Sequence, residues 1–318
     1  MKIVFMGTPP FAVSTLEALH VNGFNVVAAV TAPDKPAGRG RKIQKPAVKE
    51  FAELNNIPVL QPVNLKDAGF ISSLRALGGD IFIVVAFRML PREVWEMPPL
   101  GTVNLHASLL PDYRGAAPIN HAIINGETET GVTTFLIDER IDTGNILLRE
   151  TLSISPSENA GTLHDRLAKT GAQLVVETLR GISDGSVKPQ DQALFMAGRG
   201  TELKAAPKIF PKDCVIDWNS EAAAINNLVR GLSPLPGARS VLRNEWGTLS
   251  FKILECIPKY ENHSLMPGTI VTDERCCLRI ACKDGFVDVT TLQAEGRNRM
   301  SAAEFLKGFR IDGYTAVG

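Results

Sequence analysis

The sequence lacks the features that mark secreted and membrane proteins. No uninterrupted apolar run approaches the roughly 18–20 residues that a membrane helix needs. The N-terminus, MKIVFMGTPP, has neither a long apolar segment nor a small-residue cleavage site, so we expect no signal peptide. A formal net charge of +0 argues against non-specific polyanion binding by the protein as a whole. We therefore expect a cytoplasmic protein that does not associate with membranes.

Cysteine is scarce and poorly spaced for metal or redox chemistry. All five cysteines lie in the last third of the chain, their number is odd, and no two form a C-x-x-C pair. A zinc site would need four ligands at tighter, paired spacing. We predict reduced, structural thiols and no metal site. These thiols belong to Cys214, Cys256, Cys276, Cys277 and Cys282.

The first 200 residues alternate short apolar runs with helical patterns. KIVFMG (2–7) and NVVAAVT (25–31) flank the amphipathic stretch 9–23, which predicts a β-α-β unit and a parallel sheet. The first turn, GTPPF, lacks the G-x-G-x-x-G pattern, so a dinucleotide site has little support. Further helices are predicted over 46–56, 67–78 and 161–182, and further strands over 57–60, 80–87, 102–107, 132–138 and 145–154. We predict an α/β domain with a parallel-rich sheet over residues 1–200.

The pattern changes near residue 200. A helix candidate at 220–231 is followed by short apolar runs, which Gly, Pro and charged pairs separate. Short strands at regular spacing are typical of a small barrel. We therefore predict that residues 201–318 form a linker and a smaller β-rich domain.

Two polar residues stand at alternate positions in the apolar stretch TVNLHA (102–107). Asn104 and His106 project from the same face if the stretch is a strand. Parallel sheets bind ligands beyond the carboxyl ends of their strands, where this pair would lie. An amide donor beside an imidazole suits a reaction that builds a tetrahedral oxyanion, because the amide stabilises the charge and the imidazole moves a proton.

A carboxylate near the imidazole would complete this group. The segment 137–147, IDERIDTGNIL, supplies Asp138, Glu139 and Asp142. Asp142 precedes a Thr–Gly turn, which would hold it at a loop tip and let it orient and charge His106. Taken singly, each residue also has a structural interpretation: a satisfied strand histidine, a strand-end asparagine or a turn aspartate.

The motif NLHASLLPDYRG, followed by IDTG, resembles the signature of the 10-formyltetrahydrofolate-dependent formyltransferases. The resemblance implies a Rossmann-like catalytic domain and 10-formyltetrahydrofolate as co-substrate, with no metal. It implies that Asn104, His106 and Asp142 are the catalytic residues. It also implies that the loop after the strand lies against the folate, through Ser108, Leu109, Leu110 and Pro111.

Over its whole length the chain is similar to the members of that family that formylate methionyl initiator tRNA. The segments TAPDKPAGRGRK, KIFPKDCVIDWN and LVRGLSPLPGA extend the likeness. This implies that the initiator methionyl-tRNA is the partner and its α-amine the acceptor, for translation initiation. It also implies an OB-like tRNA-binding domain over residues 201–318, and a monomer.

Three alternatives remain open from the sequence. A related enzyme would formylate an amino sugar nucleotide, with no need for a basic loop and often with a fused dehydrogenase domain. A formyltetrahydrofolate hydrolase would use water as acceptor. A third alternative is a tRNA- or folate-binding protein without catalysis, which would not need Asn104, His106 and Asp142 together.

The segment PDKPAGRGRKIQKPAVK (33–49) is a candidate tRNA contact. It contains six Lys or Arg and one Asp, and its Pro and Gly predict a flexible loop. Lys and Arg neutralise backbone phosphates, and the resemblance implies that this loop lies beside the acceptor stem. Arg39, Arg41 and Lys42 are the candidates, although a solvated loop with incidental charge is an alternative.

The C-terminal part is less basic than a tRNA-binding domain would suggest. Residues 201–318 contain 15 Lys and Arg against 14 Asp and Glu. We therefore expect the positive charge to be concentrated on one face. The candidates are Lys204, Lys208, Lys212, Arg230 and Arg239.

Four residues depart from the pattern common in the resembled family. Phe87 and Arg88 replace a Tyr–Gly pair in the folate-contacting segment, which predicts a changed pterin pocket. Asp112 replaces a basic residue after SLLP, which predicts a weaker phosphate contact. Arg140 stands where Gly is common.

Overall fold

The computed structural model describes residues 1–37, 42–196, 202–245, 247–311 and 313–318. The chain divides by its contacts into two compact units. The first consists of Met1–Gly115, Glu129–Ser153 and His164–Ala205, and the second of Ala116–Thr128, Ile154–Leu163 and Ala206–Gly318. Each unit is thus assembled from segments that are separated in sequence. Within the described ranges, no helix is long and apolar enough to cross a membrane.

The strands and helices are numbered here in chain order. The strands are β1 (Lys2–Gly7), β2 (Asn25–Val30), β3 (Lys35–Ala37), β4 (Lys42–Gln44), β5 (Val59–Leu60), β6 (Ile81–Val85), β7 (Thr102–His106), β8 (Arg114–Gly115), β9 (Glu129–Leu136), β10 (Ile146–Ser153), β11 (Ala205–Ala206), β12 (Ala238–Asn244), β13 (Gly247–Lys259), β14 (Ile270–Thr272), β15 (Leu278–Cys282), β16 (Gly285–Ala294), β17 (Met300–Ser301) and β18 (Thr315–Val317). The helices are α1 (Pro10–Val21), α2 (Ala47–Leu54), α3 (Ala68–Ala76), α4 (Arg92–Trp95), α5 (Pro118–Ile124), α6 (Ala160–Asp184), α7 (Ala222–Leu232) and α8 (Ala302–Gly308). Short 3-10 turns lie at Gln192–Phe195 and Pro211–Cys214.

The first unit is built on one sheet with the strand order β10-β9-β7-β6-β1-β2-β5. From β7 to β5 neighbouring strands are parallel. β9 is antiparallel to both of its neighbours, β7 and β10. The central strands β1 and β6 are continuous apolar runs, as expected of strands buried on both faces. The predicted α/β domain with a parallel-rich sheet is therefore confirmed, and β7, which carries the candidate residues, lies where the sheet changes from parallel to antiparallel.

The second unit contains an antiparallel sheet with the strand order β14-β15-β16-β13-β12-β18, and β17 pairs with β16. The two ends of this order meet, because Thr269 forms a bridge with Thr315 and the Ala316 amide donates to the Gly268 carbonyl at 2.8 Å. Gly268 has a φ of +87°, and a Cβ there would overlap the Ala316 carbonyl oxygen. The sheet is thus a nearly closed barrel, which confirms the predicted barrel.

Alternating apolar positions fill the barrel. Ile253, Ile280, Val287 and Leu292 are fully buried in one cluster, together with Val229 of α7. Such alternation is what a half-buried strand requires. The elements that the sequence did not predict are short: α4, α5, α8 and the strands β3, β4, β8, β11, β17 and β18 hold too few residues to display a period.

Candidate active site

Asn104 and His106 occupy alternate positions of β7, as predicted. Asn104 lies opposite Val84 of β6, and His106 lies opposite Thr133 of β9. His106 is buried, with 7% of its surface exposed. Asn104 is half-buried, and its side-chain amide makes no hydrogen bond to any residue in the described part of the chain. A half-buried amide with free donors is able to bind a ligand oxygen.

The hydrogen bond of His106 fixes which ring nitrogen carries a proton. Nε2 lies 2.8 Å from the carbonyl oxygen of Tyr113, and a carbonyl only accepts, so Nε2 is the protonated nitrogen. Tyr113 is buried and has a φ of 60°, in the left-handed region that costs a non-glycine residue energy. Nδ1 is therefore the nitrogen that is free to gain and lose a proton.

Asp142 faces that nitrogen. Its Oδ2 lies 3.8 Å from His106 Nδ1 and accepts a 2.9 Å hydrogen bond from the Gly115 amide. Asp142 also has a left-handed φ, of 56°. An imidazolium formed at Nδ1 would thus face a carboxylate that a backbone amide holds in place.

The two other acidic residues of the loop between β9 and β10 do not reach His106. Asp138 accepts hydrogen bonds from the Thr143 hydroxyl at 2.7 Å and the Arg140 amide at 3.0 Å, so it organises the loop. Glu139 is exposed. A Cβ at Gly144 would overlap the Leu136 carbonyl oxygen, which explains the glycine of the DTG motif. Only Asp142 among the three predicted carboxylates joins the candidate site.

The SLLP segment is held by the fold more tightly than expected. Ser108 and Leu110 are fully buried, and Thr133 binds both: its hydroxyl donates to the Ser108 carbonyl at 2.7 Å and accepts from the Leu110 amide at 3.1 Å. Pro111 is also buried, whereas Leu109 is half-buried. In this conformation Leu109 offers the most surface to a ligand, and Ser108 and Leu110 offer none.

Arg88 is bound to the neighbouring loop. Its guanidinium donates to the carbonyl oxygens of Pro62 at 2.6 Å and Val63 at 2.9 Å, and it lies over the Phe87 ring with Cζ 5.4 Å from the centroid. Ala86, which directly follows β6, has a φ of 47°. Phe87 and Arg88, where the sequence departs from the resembled family, are therefore held in place by contacts just after β6.

Two residues near Asp142 were not predicted as part of the site. Gln192, which is 3% exposed, donates to the carbonyl oxygens of Asp142 and Gly144. Its own carbonyl accepts from Arg114. Gln192 lies 50 residues after Asp142 in a stretch without a motif, so no local signal pointed to it.

Part of the basic segment 33–49 is neutralised within the first unit. Lys45 pairs with Glu53 and Lys49 with Asp34, each at 2.7 Å. β3 and β4 form a short antiparallel ladder where a flexible loop was expected. The backbone of Lys42 lies in this ladder. Arg39 and Arg41 lie outside the described residues.

The predicted cations of the C-terminal part have different environments. Lys204 is exposed, and its backbone amide and carbonyl bind the Asp112 carboxylate and the Tyr113 amide. Lys208 is exposed beside the Phe210 ring, and Lys212 is also exposed. Arg230 donates to Asn227 and to the Glu158 carbonyl, and burial lowers its pKa, so its guanidinium is engaged in the fold.

The outer face of the barrel carries a row of cations that the sequence only partly indicated. Arg239 of β12 lies directly opposite Lys252 of β13, and Lys252 lies opposite Gln293 of β16. Arg243, four residues after Arg239 on the same face of β12, is exposed and lies opposite Thr248. Among the described residues none of these three cations has an ion-pair partner. Like charges directly opposite destabilise a sheet unless an anion lies across them.

Comparison with known proteins identifies the family. A model described as Formyl transferase matches residues 1–179, and one described as Formyl transferase, C-terminal domain, matches residues 208–310. A methionyl-tRNA formyltransferase of Flavobacterium johnsoniae is 51% identical over 308 residues, which cover 97% of this chain and 96% of that protein. One of Bacteroides thetaiotaomicron is 51% identical over 316 residues, with coverage of 99% and 98%.

Solved structures share the fold at lower identity. An N-formyltransferase from Helicobacter canadensis, in complex with folinic acid and dTDP-3-aminofucose, has a TM-score of 0.66 at 21% identity, covering 91% of this chain and 98% of that chain. HypX from Aquifex aeolicus in complex with tetrahydrofolic acid has a TM-score of 0.64 at 20% identity, covering 98% of this chain and 48% of that chain. The chain is therefore an enzyme of the formyl transferase family, in the group of the methionyl-tRNA formyltransferases.

Proposed function

We propose that this chain transfers the formyl group of 10-formyltetrahydrofolate to the α-amine of methionyl initiator tRNA. The observation that carries the proposal is that three polar groups, two on β7 and one on the loop between β9 and β10, lie close together. Asn104 offers an amide without a partner in the described part of the chain, His106 offers Nδ1, and Asp142 faces that nitrogen at 3.8 Å. The methionyl-tRNA formyltransferases that are about half identical over the full length support the choice of acceptor.

Asn104 supplies the donor for developing negative charge. Its amide is half-buried and makes no hydrogen bond to the residues that the structure describes, so it is able to donate to the formyl oxygen as the amine attacks. The strand backbone fixes its position, which keeps the donor in place before the reaction begins. A free α-amine has a pKa of about 7.7–8.0, so a substantial share of the acceptor is already neutral near pH 7.5.

His106 moves the proton. Nε2 is committed to the Tyr113 carbonyl, so Nδ1 exchanges the proton between the attacking amine and the leaving nitrogen. Asp142 stabilises the imidazolium that this transfer creates. The Gly115 amide and the left-handed backbone of Asp142 hold the carboxylate in the required direction.

The folate supplies the formyl group, and the Asn104 amide, which has no partner within the described ranges, fits a carbonyl acceptor of this kind. We propose that the SLLP loop bounds the folate site through Leu109, while Ser108, Leu110 and Pro111 set the loop's shape from buried positions. Thr133 holds that shape through its two hydrogen bonds.

We propose that residues 1–200 catalyse the transfer and that residues 201–318 bind the tRNA backbone. Support comes from Arg239 and Lys252, which face each other on the barrel with Arg243 further along, and none of the three pairs with a carboxylate among the described residues. Backbone phosphates are anions that suit such a row. Lys204 and Lys208 are exposed and add to the positive charge. We propose that Arg39, Arg41 and Lys42 of the basic segment also contact the tRNA. We propose that the working form is a monomer.

The test is a transfer assay with a panel of acceptors. Purified protein and 10-formyltetrahydrofolate are incubated with methionyl initiator tRNA, methionyl elongator tRNA, an amino sugar nucleotide or no acceptor. Formyl-methionine on the initiator tRNA alone supports the proposal. Formylation of the sugar, or folate turnover without any acceptor, contradicts it in favour of another formyltransferase or a hydrolase.

A further inference from the structure

Gln192 is buried beside the candidate site and uses its entire hydrogen-bonding capacity there. Nε2 donates to the carbonyl oxygens of Asp142 at 3.0 Å and Gly144 at 2.8 Å. Oε1 accepts from Nε and Nη2 of Arg114, at 3.2 and 2.5 Å. A primary amide has two donors and two acceptor sites, so none is left over. Since the carbonyls only accept and the guanidinium only donates, the orientation of the amide is also determined.

The two segments that Gln192 joins are the ones that contact His106 and Asp142. Arg114 lies between Tyr113, whose carbonyl binds His106 Nε2, and Gly115, whose amide binds Asp142 Oδ2. On its other side the Gln192 amide binds the backbone of Asp142 itself. One side chain thus connects the residues that orient the imidazole with the turn that carries the carboxylate.

The backbone of Gln192 is anchored independently of its side chain. Gln190 exchanges two 2.8 Å hydrogen bonds with Ile146 at the start of β10. The Asp191 carboxylate accepts from the Ala193 amide at 2.8 Å and caps the 3-10 turn that follows. A change confined to the Gln192 side chain therefore removes the link between the two segments and leaves the anchoring of its own segment intact.

We propose that Gln192 is a positioning residue for formyl transfer: it sets the distance between His106 and Asp142 through the backbones of 113–115 and 142–144. This rests on the proposed function, because it assigns a role within that reaction. Gln192 does not touch the reacting groups, so we expect it to act on the rate of the chemical step and not on substrate binding. Small misplacements of catalytic groups cost up to about 100-fold in rate.

The direct test replaces Gln192 with methionine, which keeps the length of the side chain and removes all four hydrogen bonds. We expect kcat to fall about 10- to 100-fold, with KM for both substrates within about threefold of wild type. Thr178→Val is the matched control, because it removes a fully buried hydroxyl that binds Leu174 and Thr134 in the same unit. Thr134 lies opposite Leu105, on the sheet face that Asn104 and His106 do not share. We expect the control to lower the urea midpoint and leave kcat unchanged within twofold.

A double-mutant cycle separates positioning from general stability. If Gln192 acts through Asp142, the Gln192→Met change should cost little, within about twofold, in an Asp142→Ala background. The same 10- to 100-fold loss in that background, or a Gln192→Met variant with a kcat within threefold of wild type, overturns the proposal.

A spectroscopic measurement tests the inference without any turnover, so a failure of the proposed function leaves it decidable. In nitrogen-15 NMR of the histidine side chains, the His106 Nε2–H signal reports the bond to the Tyr113 carbonyl. We expect this signal to shift or broaden in Gln192→Met and to stay unchanged in Thr178→Val. An unchanged signal in Gln192→Met contradicts the positioning role even if the wild type formylates none of the acceptors.

Discussion

The loops around the candidate active site of the first unit and the barrel of the second unit differ in backbone conformation and in their use of polar groups. In the loops that follow β6, β7 and β9, three non-glycine residues take left-handed backbone conformations: Ala86, Tyr113 and Asp142. Among the described residues of the second unit, only Glu274 does so. Strained backbone of this kind persists only where surrounding contacts impose it, and it concentrates at functional sites.

The difference extends to the use of polar groups. In the first unit Gln192 and Thr133 hold loops around His106 with buried hydrogen bonds. In the barrel the core is mainly apolar, and the outer face carries Arg239 and Lys252, which have no ion-pair partner among the residues described. Chemistry thus depends on a few groups in fixed positions, whereas binding to a polyanion depends on spread charge. Variants in the two regions should therefore fail in different ways.

The largest expected effect is at the proton-transferring residue. We expect His106→Gln to lower the single-turnover transfer rate by about 10²–10⁴-fold, because an amide does not move the proton. The affinity for tRNA, measured by filter binding on the same preparation, should stay within twofold. A variant that keeps a tenth or more of the wild-type rate would show that His106 serves the fold.

Asn104→Ala should have the next largest effect. Removal of one oxyanion donor costs about 10²–10³-fold in rate. Because the Asn104 amide has no partner among the described residues, we expect the urea midpoint to change little. A transfer rate within threefold of wild type contradicts the assignment.

The sequence predicted these two residues for a physical reason. Asn104 and His106 are two positions apart on one strand, so the strand period alone places them on one face. Asp142 was predictable as a candidate because a D-T-G turn fixes a loop tip. Tyr113 was not, because it acts through its backbone carbonyl, which any residue possesses. Gln192 was not, because its side-chain amide binds the backbone of residues far earlier in the chain, a separation that carries no periodic signal. For the same reason the sequence did not predict that each unit is assembled from three separate segments of the chain.

Substitutions on the outer face of the barrel should have a smaller effect, on tRNA affinity. Arg239→Ser combined with Lys252→Ser should weaken tRNA binding by roughly five- to thirtyfold near physiological salt. The slope of log K against log salt should also become shallower by about 1.5–2, for two lost phosphate contacts. Lys307→Ser, at an exposed cation of α8, is the matched control and should change neither. Equal slopes for the double variant and the wild type would exclude this face as a phosphate contact.

The smallest effect concerns stability at high pH. Burial raises the pKa of the Cys256 thiol to about 12, above its ordinary value near 9. Between pH 9 and 12 the thiol therefore ionises in the unfolded chain but not in the folded one, so stability falls as the pH rises. We expect this thiol to contribute a loss of about 1 kcal/mol between pH 9 and 10. Urea unfolding should show a flatter pH dependence in Cys256→Ala, and an identical slope would contradict the burial of this thiol.

The measurement that tests the central claim most directly sets two variants side by side. Single-turnover transfer rate and tRNA dissociation constant are measured for Asn104→Ala and for the Arg239→Ser, Lys252→Ser double variant. We predict that the first loses at least 100-fold in rate with unchanged tRNA affinity, and that the second loses affinity but keeps its rate at saturating tRNA. Loss of tRNA affinity in Asn104→Ala, or loss of the saturated rate in the double variant, would contradict the division of chemistry and binding between the two regions.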